Sequence, residues 1–451
     1  MKNYKITEGS IWRNMLSFFG AILLGTFFQQ FYNTVDAAIV GRAVSSDALG
    51  AAGGSAAMVI NLFIGFFTGI SSGAGVVVAQ NFGAGNKENL GKAVQTGMVI
   101  AFVGGLIVSV IGFILSPSII IAMKTPVEQF DAAICYLRLF CLGMVANFVY
   151  NMGAAILRAV GDSRRPLFVL LISSVINIVL DVFFIIVLGM GKRGDVPGVA
   201  GAAIATVICQ YISAVIVIVM LVKSEGSYRL EFRRIKPDRD AAWKIIRLGI
   251  PAGLQSTTYT ISNILIQSAI NELGKDTASA WAAYGKLESV FWMIMTSIGI
   301  TVTTFVGQNY GAGKKDRVKK CTRDGIIISA VLTIPLSIVI FNFGDFLMRI
   351  FVTEEEVVAL GVQMSRFFSL FYIAFIGVEI LSGTLRGMGD ALMPMIITLG
   401  GVCVLRVLWI LIVFPIHKTL TVVEASYPIT WITTTVMYII YYFYYTRYKK
   451  R

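Results

Sequence analysis

The segment QNFGAGNK at residues 80–87 returns as QNYGAGKK at residues 308–315, and LRAVGDSRRP at 157–166 returns as LRGMGDALMP at 385–394. Both pairs are separated by 228 residues. Two unrelated motifs that share one offset mark an internal duplication of about half the chain. The 451 residues are 56% hydrophobic and 14% charged, against roughly 25% charged in soluble domains. A soluble fold of this length needs more polar surface, so the duplicated unit belongs in a membrane.

A spanning helix needs about 20 mostly apolar residues. Twelve runs qualify: 14–40, 52–79, 96–123, 134–157, 167–190, 199–222, 248–271, 279–306, 325–350, 360–384, 394–416 and 427–446. Stretches such as 204–222 are apolar on every face, which is helical membrane character; strands of a membrane barrel alternate instead. The expectation is an all-α integral membrane protein. It has 12 transmembrane helices in two six-helix lobes, related by a pseudo-twofold axis along the membrane normal because six is even. The lobes are assigned to residues 1–222 and 248–451. A basic linker, 223–247, lies between them, either a solvated strap or an amphipathic helix resting on lipid headgroups through Trp243.

The net charge of +13 raises the question of nucleic acid, and its distribution answers it. With the N-terminus inside, inside segments hold 27 Lys and Arg, outside segments hold 7, and 4 lie within spans. That split follows the positive-inside rule and places both termini in the cytoplasm. No nucleic-acid partner is needed; the partners implied are the bilayer and a small molecule. One His and five Cys without a CxxC pair offer no catalytic triad or metal cluster, so no enzyme and no cofactor are expected. The repeated glycine motifs sit at cytoplasmic helix ends and read as caps and tight turns. No Gly-Lys-Ser/Thr follows either copy, so a phosphate loop is excluded. Pro251, Pro335 and Pro415 are expected to kink their spans.

Ionisable groups inside spans are costly and usually functional. The acids there are Asp36, Asp181, Glu288 and Glu379. Asp36 shares a helix face with Gln29 and Asn33, Asp181 follows Asn177 by one turn, and Thr206 precedes Gln210 by one turn. Carboxylates, amides and a hydroxyl could build the oxygen-rich pocket a hard cation requires; the same carboxylates could carry a proton. The second half has its own stripes, Gln255, Tyr259 and Asn263 on one span and Tyr284, Glu288 and Trp292 on the next. Aromatics with a carboxylate suit a lipophilic cation; the alternative is an ordinary helix interface with Glu288 neutralised by Lys286, Arg366 or Arg406. The duplication is asymmetric. Asn263 stands where Asp36 would repeat, and Leu405 and Trp409 stand for Asn177 and Asp181.

The twofold repeat, both QN(F/Y)GAG segments, both LRxxGD…P segments and YNTVDAAIVGR at 32–42 resemble the multidrug and toxic compound extrusion (MATE) family, bacterial type, over essentially the whole chain. The resemblance implies two six-helix lobes around a V-shaped cleft, and export of organic cations or other amphipathic compounds by Na⁺ or H⁺ antiport. It implies a monomer in the bacterial inner membrane. It also implies a cation site made of an Asp on the first helix, an Asn and an Asp on the fifth and a Thr on the sixth, which match Asp36, Asn177, Asp181 and Thr206. Gln255 replaces the acid that some relatives carry on the seventh span, so a second coupling site is not carried over. The competing reading within the wider superfamily is a flippase for a lipid-linked oligosaccharide, which would need several basic residues facing the cleft.

Overall fold

A computed structural model describes residues 6–44, 50, 53–123, 125–190, 195–232 and 236–447. The basic residues at 2, 5, 124, 192, 193, 233, 234 and 449–451 that enter the charge count lie outside the described residues, as does the side chain of Arg42. Among the described residues there is no strand. The long helices are α1 (Ile11–Ala43), α2 (Ser55–Gly83), α3 (Lys87–Ala122), α4 (Val127–Ala159), α5 (Arg164–Asp181), α6 (Asp195–Val222), α7 (Arg239–Glu272), α8 (Lys275–Gly311), α9 (Lys315–Arg349), α10 (Glu355–Gly387), α11 (Leu392–Thr398 with Leu405–Ile412) and α12 (Leu420–Arg447). Wider π turns continue α5 over Val182–Val187 and join the two parts of α11 over Leu399–Val404.

The twelve apolar runs correspond to these helices, but most of the helices are longer. α3 has 36 residues and begins at Lys87, not at 96. Its first turn is polar, and Asn86 caps it by accepting from the Asn89 amide at 3.1 Å, so hydropathy alone misses that turn. Among the described residues, ten helices are long and apolar enough to cross a bilayer. The exceptions are α7, diluted by the stripe Gln255, Tyr259, Asn263 and Gln267, and α12, rich in Thr and Tyr. Twelve long helices among the described residues, in two lobes, make this an all-α integral membrane protein.

Two proline expectations change. The non-helical turn in α9 is at Phe343 (φ −105°, ψ 15°), not at Pro335. Pro415 lies beyond the end of α11 at Ile412 and closes it rather than bending it. The second half of the 223–247 stretch is the start of α7. Asp238 caps that helix through the Ala241 amide at 2.8 Å, and its own amide donates to Thr96 of α3 at 2.9 Å. Trp243 is exposed on that turn.

The two copies of each motif fold alike. Gly85 and Gly313 take φ 68° and 71°, and Gly161 and Gly389 take φ 92° and 91°. Only glycine adopts that left-handed backbone without cost. The following amides close the helix ends identically: Asn86 to Asn81 O at 3.1 Å and Lys314 to Asn309 O at 2.9 Å. In the other motif, Asp162 donates to Leu157 O at 2.9 Å and Asp390 to Leu385 O at 3.0 Å. Each aspartate then accepts amides of the next helix, Arg165 at 3.0 Å and Met393 at 3.3 Å. The repeated motifs are therefore turns between helices, each with a left-handed glycine, and in the LRxxGD pair the aspartate accepts amides of the helix that follows.

By contact density the chain forms two compact units. One holds Gly20–Gly253; the other holds Leu254–Arg451 with the described residues of Lys5–Phe19. In the first unit, Phe67 stacks on Phe148 with centroids 3.7 Å apart, and α2 meets α7 backbone to backbone. A Cβ at Gly73 would stand 2.5 Å from the Gly249 nitrogen. Small residues permit this approach, which drives helix association in lipid. In the second unit, Arg317 grips the N-terminal segment, donating to Ile6 O at 3.0 Å and Gly9 O at 3.1 Å. Replacing Gly73 with Leu would push backbone against backbone. The expected cost is about 1–3 kcal/mol or more, read as a drop of roughly 5 °C in the melting temperature of the detergent-solubilised protein, whereas Leu at Gly20, where an added Cβ would meet nothing within 4 Å, should leave the melt unchanged.

Candidate functional site

In the first unit, Asp36 of α1 and Asp181 of α5 lie side by side, close enough to share a proton. Asp181 is fully buried and Asn177, one turn before it, is 2% exposed. Neither oxygen of Asp181, neither amide atom of Asn177, and not Oδ1 of Asp36 has a protein hydrogen-bond partner. Buried polar atoms are almost always paired, so five orphaned atoms in one place are a signature of a site. The local backbone helps: Asp181 is the last residue before the π turn Val182–Val187. Such a turn widens the helix and is frequent at functional sites.

The surrounding side chains extend the cluster. Cys209 of α6 lies beside Asn177 and Asp181, and Thr206 is half-buried one turn earlier on the same face. Tyr32 of α1 and Tyr136 of α4 both lie close enough to feel the two aspartates. Tyr32 stands one turn before Asp36 in the YNTVD segment, but Tyr136 does not stand out in sequence, since a tyrosine in a span is usually packing; only the fold brings it to the acids. Gln210 turns toward α4, where Gly143 leaves room for its side chain, and its Oε1 is also unpartnered. Gln29 and Asn33 are exposed on α1. Among the described residues, no group of three or more His, Cys, Asp or Glu converges as a transition-metal site would need. Two carboxylates, an amide oxygen and a nearby hydroxyl fit a hard monovalent cation or a proton instead.

The second unit has a different site. A cavity of about 350 Å³ is lined by Tyr259 and Asn263 of α7, Glu288 and Trp292 of α8, Glu379 of α10 and Arg406 of α11, among others. Its walls are aromatic: Trp292 meets Phe375 edge-on at 4.8 Å, and Phe375 meets Trp431 at 5.5 Å. Two residues of the sequence stripes are placed differently. Tyr284 is 1% exposed and its hydroxyl pairs with that of Tyr372 at 2.7 Å. Gln255 is buried and donates to Thr398 at 3.0 Å. Glu379 faces Arg386 at 3.8 Å. Neither Lys286 nor Arg366 is on the cavity wall; Arg406 is.

One buried acid escapes the sequence reading. Glu424 is fully buried and accepts weakly from Gln363 at 3.4 Å. The run at 427–446 leaves it out because Glu424 and Ser426 lower the local hydropathy, whereas α12 begins at Leu420.

The family profile of MatE matches residues 21–183 and 251–412, one copy in each repeat. The chain is 31% identical over 398 residues to the probable multidrug resistance protein YoeA of Bacillus subtilis, covering 88% of this chain and 85% of the relative. It is 27% identical to the probable multidrug resistance protein NorM of Thermotoga maritima, covering 73% and 70%. Among solved structures, a MATE in complex with MaD3S has a TM-score of 0.90 at 21% identity over 100% of both chains. A MOP superfamily transporter from Pyrococcus furiosus has 0.89 at 21% over 98% of both. At that identity the structures speak for the fold; the profile and the B. subtilis relative speak for the family. The duplicated six-helix units, the paired motifs and these matches agree, and the chain belongs to the MatE family of multi-pass membrane transporters, which are not enzymes.

Proposed function

We propose that this chain is a secondary active antiporter. It exports organic cations or other amphipathic small molecules, coupled to Na⁺ or H⁺ through Asp36, Asn177, Asp181 and Thr206. The observation that carries the proposal is the orphaned carboxylate pair in one repeat and its absence from the other. A scaffold role would satisfy those oxygens with donors from neighbouring helices. Here the carboxylates face each other instead, an arrangement that gains most from a cation or proton placed between them. The names of the curated relatives, multidrug resistance proteins, support a broad substrate range. The repeats at 1–222 and 248–451, joined by 223–247, are the natural halves for alternating access. The 27 to 7 split of basic residues supports cytoplasmic termini in a bacterial inner membrane, and nothing in the mechanism requires more than one copy.

The test is efflux of ethidium from proteoliposomes under imposed Na⁺ and H⁺ gradients applied separately. At least one gradient should drive wild-type transport. Asp36→Asn and Asp181→Asn should insert normally and lose gradient-driven transport, while exchange of ethidium down its own gradient persists. Wild-type driven rates in either variant would overturn the assignment of the pair. Removing the Thr206 hydroxyl is a milder change. Thr206→Val should weaken the dependence on the coupling ion by roughly tenfold, the loss of about one oxygen contact, read as a shift in the ion concentration for half-maximal transport. An unchanged half-maximal concentration would take Thr206 out of the site.

A further inference from the structure

Arg366 of α10 is an exposed cation inside a spanning helix. Among the described residues, no carboxylate pairs with its guanidinium and no side chain hydrogen-bonds it; only its backbone oxygen is used, by Ser369 at 3.0 Å. The acids at the near end of the helix pair are already answered. Arg349 donates to Asp345 at 3.0 Å and to both oxygens of Glu355 at 2.7 and 2.9 Å. A charge in a span ordinarily faces a partner or water. Arg366 instead borders a groove of about 470 Å³ between α9 and α10, walled by Phe341, Phe367 and Leu370 among others. Gln363, on the same wall, donates to Glu424 at 3.4 Å, but Glu424 itself is fully buried and is not part of the wall. Among the described spans, α9 is the least buried, so the groove lies on a lipid-facing helix pair.

The duplication supplies an internal comparison. At the offset of 228 residues, Arg366 stands for Arg138, Phe341 for Phe113 and Gly344 for Ser116. In the first unit these side chains close on one another. The Arg138 guanidinium lies 5.3 Å from the Phe113 ring centroid, and its Nε donates to the Ser116 hydroxyl at 3.0 Å. In the second unit Gly344 offers no hydroxyl, and α9 leaves helical geometry at the adjacent Phe343. The equivalent arginine is left without a partner beside an open groove. Its depth suits a lipid phosphate. α10 has 33 residues, about 50 Å of helix, against a hydrocarbon core of about 30 Å. Arg366 lies three turns after the first residue of α10, Glu355, roughly 16 Å along the axis. With about 10 Å of a centred helix outside the core at each end, the arginine stem starts only roughly 6 Å below the headgroups, within reach of a snorkelling side chain.

We infer that the groove between α9 and α10 binds one anionic phospholipid, its phosphate on Arg366 and an acyl chain along Phe341, Phe367 and Leu370. A guanidinium and a phosphate form paired, charge-assisted hydrogen bonds, and the planar fork suits a phosphate better than an ammonium does. The apolar walls take the chain in place of bulk lipid. Any phospholipid offers a chain, so headgroup charge decides the preference. The phosphate of phosphatidylcholine carries its own ammonium, which Arg366 repels; that of phosphatidylglycerol does not. The first unit has no such site, because Arg138 is already held by Ser116 and Phe113. Lipid binding here is independent of ion coupling and goes beyond the export reading.

The experiment titrates the full chain in detergent with dioleoyl phosphatidylglycerol or dioleoyl phosphatidylcholine and counts bound lipids by native mass spectrometry. The first phosphatidylglycerol should bind wild type about tenfold more tightly than the first phosphatidylcholine. Arg366→Gln should bring the two lipids to within about twofold of each other, whereas Arg138→Gln should keep the wild-type preference. Gly344→Ser restores the hydroxyl of the first repeat. An added Cβ there meets only Ser365, at an ordinary 3.4 Å, so the fold tolerates it, and the preference should fall about threefold as the serine competes for Arg366. Millimolar inorganic phosphate should not displace the bound lipid. Equal affinity of wild type for the two lipids, or a full preference in Arg366→Gln, would overturn the inference. Displacement by inorganic phosphate would make the arginine a simple anion site and overturn the role of the groove. Because Arg366 is exposed and holds no other side chain, its removal should leave the fold intact; should it not, a preference undiminished in Gly344→Ser overturns the inference by itself. Loss of gradient-driven ethidium efflux would remove the antiport reading and leave this lipid site standing, and the reverse holds as well.

Discussion

Two carboxylates placed side by side in a protein interior, without donors to answer them, repel each other and lose most of their hydration. Everything distinctive in the first unit follows from that arrangement. Asp36 comes from α1 and Asp181 from the end of α5, so their separation depends on how those helices are held. A cation or proton between the acids favours their approach, and its departure favours separation. That is the differential interaction a coupled conformational change requires. A site whose oxygens were already hydrogen-bonded would have no such preference.

The frame that holds the acids is built twice from one plan. Matching glycine caps at Gly85 and Gly313, and at Gly161 and Gly389, turn the chain at equivalent points. The aspartates that follow the second pair of caps start the next helices. Close backbone approach, as at Gly73 and Gly249, fixes neighbouring helices in the first unit. On this common frame the two units differ in charge. One presents an acid pair, the other an acid and an arginine in an aromatic cavity.

Much of this was legible in the sequence because its causes are local or periodic. The shared offset of 228 residues declared the duplication, and the length of the apolar runs declared helices. The spacing of Asn177 and Asp181 places them on one helix face. What escaped depends on packing. Polar first turns such as the one at Lys87 continue a helix past its apolar run. Pro335 sits within a helix whose non-helical turn falls at Phe343 instead. Glu424 hides at the edge of a run that its own charge interrupts. Arg406 was visible as a charge in a span, but a guanidinium can neutralise a neighbour, reach an interface or line a cavity, and only the fold decides among these. The π turn after Asp181 has no glycine or proline to announce it.

The most direct measurement is infrared difference spectroscopy on the reconstituted protein as Na⁺ is added and, separately, as pH is raised. If the acid pair holds the exchangeable cation, at least one titration should convert a carboxylic acid band into a carboxylate band, or perturb the carboxylate bands on ion binding. That change should vanish in the Asp36→Asn/Asp181→Asn double variant. An identical difference spectrum from wild type and double variant would contradict the account.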